Sequence, residues 1–215
     1  MQGTTFRLED LAEVCVAAFP TFDEQEQRIV HATYRALTEG QPVSAEDIAR
    51  FTGAPPDQVR GAFVRWNSLV QVDREGRVVA FLGLDLSPSK HCFEVKGQQL
   101  YTWCAWDTLF LPSILAQTAH VESTCPVTGQ PVRLLSTPAG VRDLEPGDAM
   151  VSFVTPERAL VEKDIIASFC CHVHFLSSAR AAEQWVARHP AALILSVDEA
   201  WELGRLCVRA RLPLL

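Results

Sequence analysis

A change of pattern near residue 82 constrains this chain more than any other feature. Before it, helix-length segments follow one another with their own start and stop signals. After it come short apolar runs broken by Pro and Gly. Thr21-Phe22-Asp23-Glu24 reads as a capping box opening a helix that runs to Gly40. Ser44-Ala45-Glu46-Asp47 caps a second, short helix through Phe51, stopped by Gly53. Pro56 suits the first turn of a third, Asp57 to Asn67, because its ring pre-sets the helical φ and its missing N–H costs nothing there. Residues 70–72 and 77–81 then alternate around Asp73-Arg74-Glu75-Gly76 as a hairpin. Three helices and a two-stranded wing predict a winged-helix-like lobe over residues 1–80. Beyond it, strand-like pieces at 81–86, 92–95, 120–124, 132–136, 150–154 and 169–176 mix with a helix over 179–188 and a final helix capped by Ser196-Val197-Asp198-Glu199. That mixture predicts an α+β fold, with a mixed α/β domain of short antiparallel strands over 81–215 packed on the helical lobe.

Charge decides what such a lobe can do. The chain carries a net charge of −7, which disfavours nucleic acid and anionic membrane as partners. Residues 1–80 hold eight Arg and no Lys against twelve acidic residues, and the would-be recognition helix carries only Arg60 and Arg65, offset partly by Asp57. A DNA reader shows a basic face, since phosphate contacts supply most of its affinity. The lobe is therefore expected to pack rather than to bind DNA. A metal-responsive DNA-binding regulator, with cysteines as its sensor, is the alternative. Residues 1–10 lack the basic region of an export signal, and no apolar run approaches the roughly 20 residues of a membrane span. The expectation is a cytoplasmic protein whose seven cysteines are reduced. Cys15 and Cys207 sit in apolar helical runs and read as core; Cys92 is given no role.

Two stretches carry chemistry. In Thr102-Trp103-Cys104-Ala105-Trp106-Asp107-Thr108, a thiol precedes a carboxylic acid by three residues, a spacing that stacks both on one helix face. With Thr102 as N-cap and Pro112 ending the helix, Cys104 would lie in the first turn, where the dipole favours a thiolate. In Ser168-Phe169-Cys170-Cys171-His172-Val173-His174-Phe175, a strand would turn Cys170, His172 and His174 to one face. A zinc site on those three is a rival reading, short of a fourth ligand. Two thiolates and one acid can instead grip a soft metal centre and protonate what is bonded to it. Cys125-Pro126-Val127-Thr128-Gly129 lacks the second half of a zinc knuckle and reads as a turn with a buried or partly exposed thiol. Trp103, Trp106 and Phe169 flank the thiols and wall either an apolar pocket or ordinary core. No phosphate loop, dinucleotide fingerprint or serine-hydrolase elbow is present. A cysteine hydrolase would need a histidine partner that sequence cannot place.

These segments resemble those of the alkylmercury lyases, also called organomercurial lyases. The resemblance runs over nearly the whole chain, through Thr102-Trp103-Cys104-Ala105 with Asp107, the Cys125-x-x-Thr-Gly turn, and Ser168 to Phe175. It implies that Cys104, Asp107 and Cys170 form a catalytic trio that cleaves carbon–mercury bonds by protonolysis, in mercuric resistance and detoxification. Cys104 and Cys170 would hold mercury as substrate and product, with Asp107 as proton shuttle and a possible third ligand. It also implies a more structural role for Cys125, no organic cofactor, small cellular thiols to deliver the organomercurial, and Hg(II) removed by thiols or a mercuric reductase. It assigns no role to Cys15, Cys92 or Cys207, and only a minor one to Cys171.

Overall fold

The computed structural model describes residues 7–214, so Met1 to Phe6, part of the segment read for an export signal, and Leu215 lie outside it. The chain opens with α1 (Leu8–Ala18), α2 (Glu24–Leu37), α3 (Ala45–Thr52) and α4 (Pro56–Arg65). Helix α2 starts two residues later than the sequence suggests. Its cap is Asp23, whose carboxylate accepts the Glu26 N–H at 2.8 Å while Glu26 accepts the Asp23 N–H at 3.2 Å, so the box is Asp23–Glu26 rather than Thr21–Glu24. Ser44 caps α3 in the same reciprocal way with Asp47, and Gly53 ends it in the left-handed conformation. Pro56 is the first residue of α4, which stops at Arg65 before a 3-10 turn.

The hairpin follows as β1 (Val70–Val72) and β2 (Val78–Phe81), its turn tied by the Asp73 side chain to the N–H groups of Glu75 and Arg77. Next come β3 (Leu84–Asp85), β4 (His91–Val95), β5 (Gln98–Thr102), α5 (Asp107–Leu115), β6 (Ala119–Thr124), β7 (Pro131–Thr137), β8 (Gly140–Glu145) and β9 (Met150–Phe153). The chain closes with α6 (Arg158–Ser168), β10 (Phe175–Leu176), α7 (Ala179–Arg188), β11 (Leu193–Ser196) and α8 (Val197–Arg211). Among these, α6, β5, β8 and β11 carry no signal that the sequence reading used.

All the strand pairings are antiparallel. One sheet has eight strands in the order β1-β2-β3-β5-β4-β6-β7-β8, and a second has three in the order β10-β9-β11. The hairpin strands thus form one edge of the large sheet, joined to it through the two-residue turn Leu82-Gly83. Helix α1 packs on α6 and on α8, at the other end of the chain. The main apolar core runs from Leu11 to Leu212 and takes in Cys104, Cys170, Cys15 and Cys207. The observed class is α+β.

Three local expectations fail. Pro112 lies inside α5 rather than ending it; the helix continues to Leu115, and Ala116, at φ +51°, closes it by donating its N–H to the Pro112 carbonyl. The helix starts at Asp107, so Cys104 is not in its first turn. Residues 169–176 are not one strand: Cys170–His172 is a 3-10 turn and only Phe175–Leu176 is extended.

Candidate active site

Thr102 does not cap a helix. It ends β5, where its hydroxyl donates to the Cys104 carbonyl at 2.8 Å and bends the chain into a turn. The turn aims the Cys104 N–H at Asp107, whose carboxylate accepts it at 2.8 Å. The i, i+3 spacing therefore does bring the two together, through a pre-helical turn instead of a helix face. Helix α5 is apolar nearly all round and buries Asp107 and Thr108 along with Leu109, Leu111 and Ile114.

Cys170 arrives from the end of α6. The 3-10 turn exposes Cys171, whose Sγ donates to the Ala167 carbonyl at 3.0 Å, and turns Cys170 inward. The Ala105 N–H donates to the Val173 carbonyl at 3.2 Å, locking the two cysteine-bearing segments side by side. The result is a buried cluster in which the Cys104 and Cys170 sulfurs and an Asp107 oxygen all lie within 4.8 Å of one another. Among the described residues this is the one such group of three or more soft or acidic ligands.

The rival zinc set is not assembled. The His174 ring nitrogen meets the Cys171 carbonyl at 2.8 Å, and the ring packs between His91 and Trp185. Burial holds both His174 and His91 well below the ordinary range, at about 4 and about 3, so both are neutral core side chains. Cys125 is buried in a tight turn, with the Gly129 N–H on its carbonyl at 2.9 Å, and packs in a separate small cluster with Leu176, Ala181 and Ala182.

Electrostatics make the trio one titrating unit. Burial pushes Asp107 up to about 7, against the partial relief given by its hydrogen bonds from Cys104. Burial likewise drives Cys104 well above the usual thiol range, and the Cys170 hydrogen bond and the Asp107 charge push the same way. The helix-dipole thiolate expected at Cys104 is therefore not what the fold builds. Cys170 is held down by the hydrogen bond from Cys104, but burial and the Asp107 charge outweigh it and leave it raised. Protons in such a cluster belong to the group rather than to one residue.

A cavity of about 40 Å³ opens onto this cluster. Phe19, Trp103, Trp106, Phe110 and Phe169 wall it, so the flanking aromatics do form an apolar pocket. Trp106 centres the wall, edge-on to Phe110 and Phe153 at 5.2 Å each, with its indole N–H on the Ala200 carbonyl at 2.9 Å. One larger open groove, of about 530 Å³ and bordered by His31, Arg35 and Gln98, holds no thiol, and another, of about 430 Å³, holds only Cys92.

Sequence reasoning missed several supports. Leu82 and Gly83 form the β2–β3 turn with φ +44° and +96°, the pattern of a type I′ hairpin. A Cβ on Gly83 would stand 2.5 Å from the Asp107 carboxyl, so only glycine leaves room for the acid. The Tyr34 hydroxyl donates to the Leu82 carbonyl at 2.8 Å and holds that turn from α2. Gly204 lets α8 reach α5, where a Cβ would meet Phe110 at 2.7 Å. A lone Gly in a helix-like run was the available signal for Gly204. Nothing local marks Gly83 or Tyr34.

The sequence matches the alkylmercury lyase family over residues 84–209. It is 41% identical over 202 residues to the alkylmercury lyase of Staphylococcus epidermidis, covering 92% of this chain and 91% of that one. It is 46% identical over 169 residues to that of Streptomyces lividans, covering 79% and 76%. A crystal structure of the mercury-bound form of MerB2 shares the fold, with a TM-score of 0.75 at 22% identity over 93% of this chain and 96% of that one. The chain belongs to the alkylmercury lyase family.

Proposed function

We propose that this protein cleaves the carbon–mercury bond of organomercurials by protonolysis, with Cys104 and Cys170 as mercury ligands and Asp107 as the proton carrier. The observation that carries the reading is the buried cluster of two sulfurs and one carboxyl oxygen within 4.8 Å, in a member of this family. Mercury(II) is soft and prefers thiolate sulfur. The substrate arrives as an organomercurial bonded to a small thiol. Cys170, whose proton is the looser of the pair, exchanges for that carrier; the carrier leaves with the cysteine's proton. Asp107 then takes the Cys104 proton, and the new thiolate bonds to mercury. Its electron density makes the carbon a better proton acceptor, and Asp107 gives the proton to that carbon as general acid. Two thiol hydrogens are thus spent, one on the carrier and one on the hydrocarbon. Hg(II) stays on Cys104 and Cys170, and no oxidation state changes. The steps call on no organic cofactor.

An acid poised at about 7 suits this double duty, since it can both accept and donate near neutrality. External thiols, or a mercuric reductase, would draw off Hg(II). Residues 1–80 act here as a packing lobe for a catalytic domain over 81–215. In support, Arg60 is engaged by Glu46 and Asp57, and Arg65 by Glu26, which leaves α4 without the free basic face that a DNA reader needs.

The test is incubation with phenylmercury or methylmercury and excess small thiol, followed by gas analysis. Benzene or methane should appear, and should vanish in Cys104→Ser and Cys170→Ser. Undiminished hydrocarbon from both variants would sink the assignment.

A further inference from the structure

The cavity touches one member of a second pair of thiols. Cys207, on α8, lines it together with Cys170 and Asp107. Behind Cys207, fully buried on α1, stands Cys15, in hydrogen-bonding contact with it across the α1–α8 interface. Cys207 also lies 3.9 Å from the Ala12 carbonyl, one turn before Cys15 on the same face of α1. The cavity holds one cation, Arg211, also on α8. Its Nε donates to the Pro20 carbonyl at 3.0 Å, and its guanidinium lies over the Phe19 and Phe22 rings at 5.2 and 5.7 Å. Its Nη2 is buried and finds no hydrogen-bond partner among the described residues. A buried guanidinium nitrogen left unpaired beside a thiol pair is what a site awaiting negative charge looks like.

We propose that Cys15 and Cys207 form a second Hg(II) site, which receives the metal from Cys104 and Cys170 by thiol exchange. In the exchange two new sulfur–mercury bonds form as two break, and the Cys15 and Cys207 protons end on Cys104 and Cys170. No electrons move. Arg211, one turn beyond Cys207 on α8, places a positive charge on the same cavity. The exchange restores the first pair to its starting protonation, so the chain can complete a second cleavage before any external thiol arrives. This idea rests on the lyase reading only for the source of Hg(II); the site itself can be tested with the inorganic ion.

Two experiments separate these. First, the Cys104→Ser/Cys170→Ser protein is titrated with Hg(II) chloride, followed by native mass spectrometry and by the rise in melting temperature. One Hg(II) per chain is expected, lost on adding either Cys15→Ala or Cys207→Ala; Arg211→Met should weaken it at least tenfold. Binding that survives both added substitutions, or no binding to begin with, overturns the site whatever the lyase activity proves to be. Folding of each variant is checked by its melting curve in the absence of mercury. Second, hydrocarbon from phenylmercury chloride is counted with no small thiol present, chloride leaving in place of the thiol carrier. The natural chain should release two equivalents, and Cys15→Ser, which does not touch the cavity, one. Equal yields from both would overturn the transfer step, and no hydrocarbon from either would fault the lyase reading instead.

Discussion

Cys170 and Cys207 line one cavity, and each forms a buried pair with a second thiol, Cys104 and Cys15 respectively. Their neighbours differ. The first pair faces Asp107, a carboxyl that burial holds near neutrality and that can therefore give up a proton. The second faces Arg211, which keeps its charge and can only stabilise an anion. Under the functions proposed above, the ligand atoms are the same and the companion differs: one pair breaks a bond to mercury and the other only holds the metal. The lesson is that a dithiol specifies the metal, while the adjacent titratable group specifies the reaction.

The largest expected effect bears on that companion. Asp107→Asn should lower hydrocarbon release by about 10²–10⁴-fold while leaving Hg(II) binding within a few-fold of the natural chain. Loss of binding in step with loss of cleavage would erase the distinction between the two pairs.

The same substitution sharpens the contrast through stability. Because Asp107 is raised to about 7 in the folded chain and titrates near 4 when unfolded, the folded state binds the extra proton. That contribution to stability is fully present below pH 4 and is lost as pH rises toward 7. Asp107→Asn should therefore be more stable than the natural chain at pH 8, by at most about 4 kcal/mol, with the gain disappearing near pH 4. Denaturant melts at the two pH values measure it, and a pH-independent difference would show that the carboxyl is not buried at a cost.

Gly83→Ala tests how tightly that acid is placed. Its Cβ would stand 2.5 Å from the Asp107 carboxyl, and φ +96° adds strain, so turnover should fall about 100-fold. Steady-state rates alongside a mercury titration would show whether the first pair still binds. Tyr34→Phe is the mildest probe. It removes one hydroxyl hydrogen bond to Leu82 and should cost about 1 kcal/mol of stability, read from a urea melt, with a smaller effect on turnover.

Local chemistry alone determined much of this molecule. The Ser44 and Ser196 caps, the Gly53 stop, the hairpin over Asp73–Gly76 and helix α7 all depend on groups within four or five residues of each other, so their signals survive in one dimension. The Cys104–Asp107 spacing belongs with them, and the run from Ser168 to Phe175 was distinctive enough to suggest the family. Tertiary structure decided the rest. The segment around Cys170, with Phe169, Val173 and Phe175, looks like a strand, but it follows α6 as a 3-10 turn, tied to the other cysteine segment by the Ala105–Val173 hydrogen bond. Burial on several sides keeps α5 helical through Pro112 and raises Asp107, and neither effect is written in the residues nearby. Cys15 and Cys207, read separately as core, become a pair only when α1 packs on α8. Hydrogen bonds along the chain are cheap to foresee because the backbone brings their partners together; contacts between its two ends form only when the whole core closes.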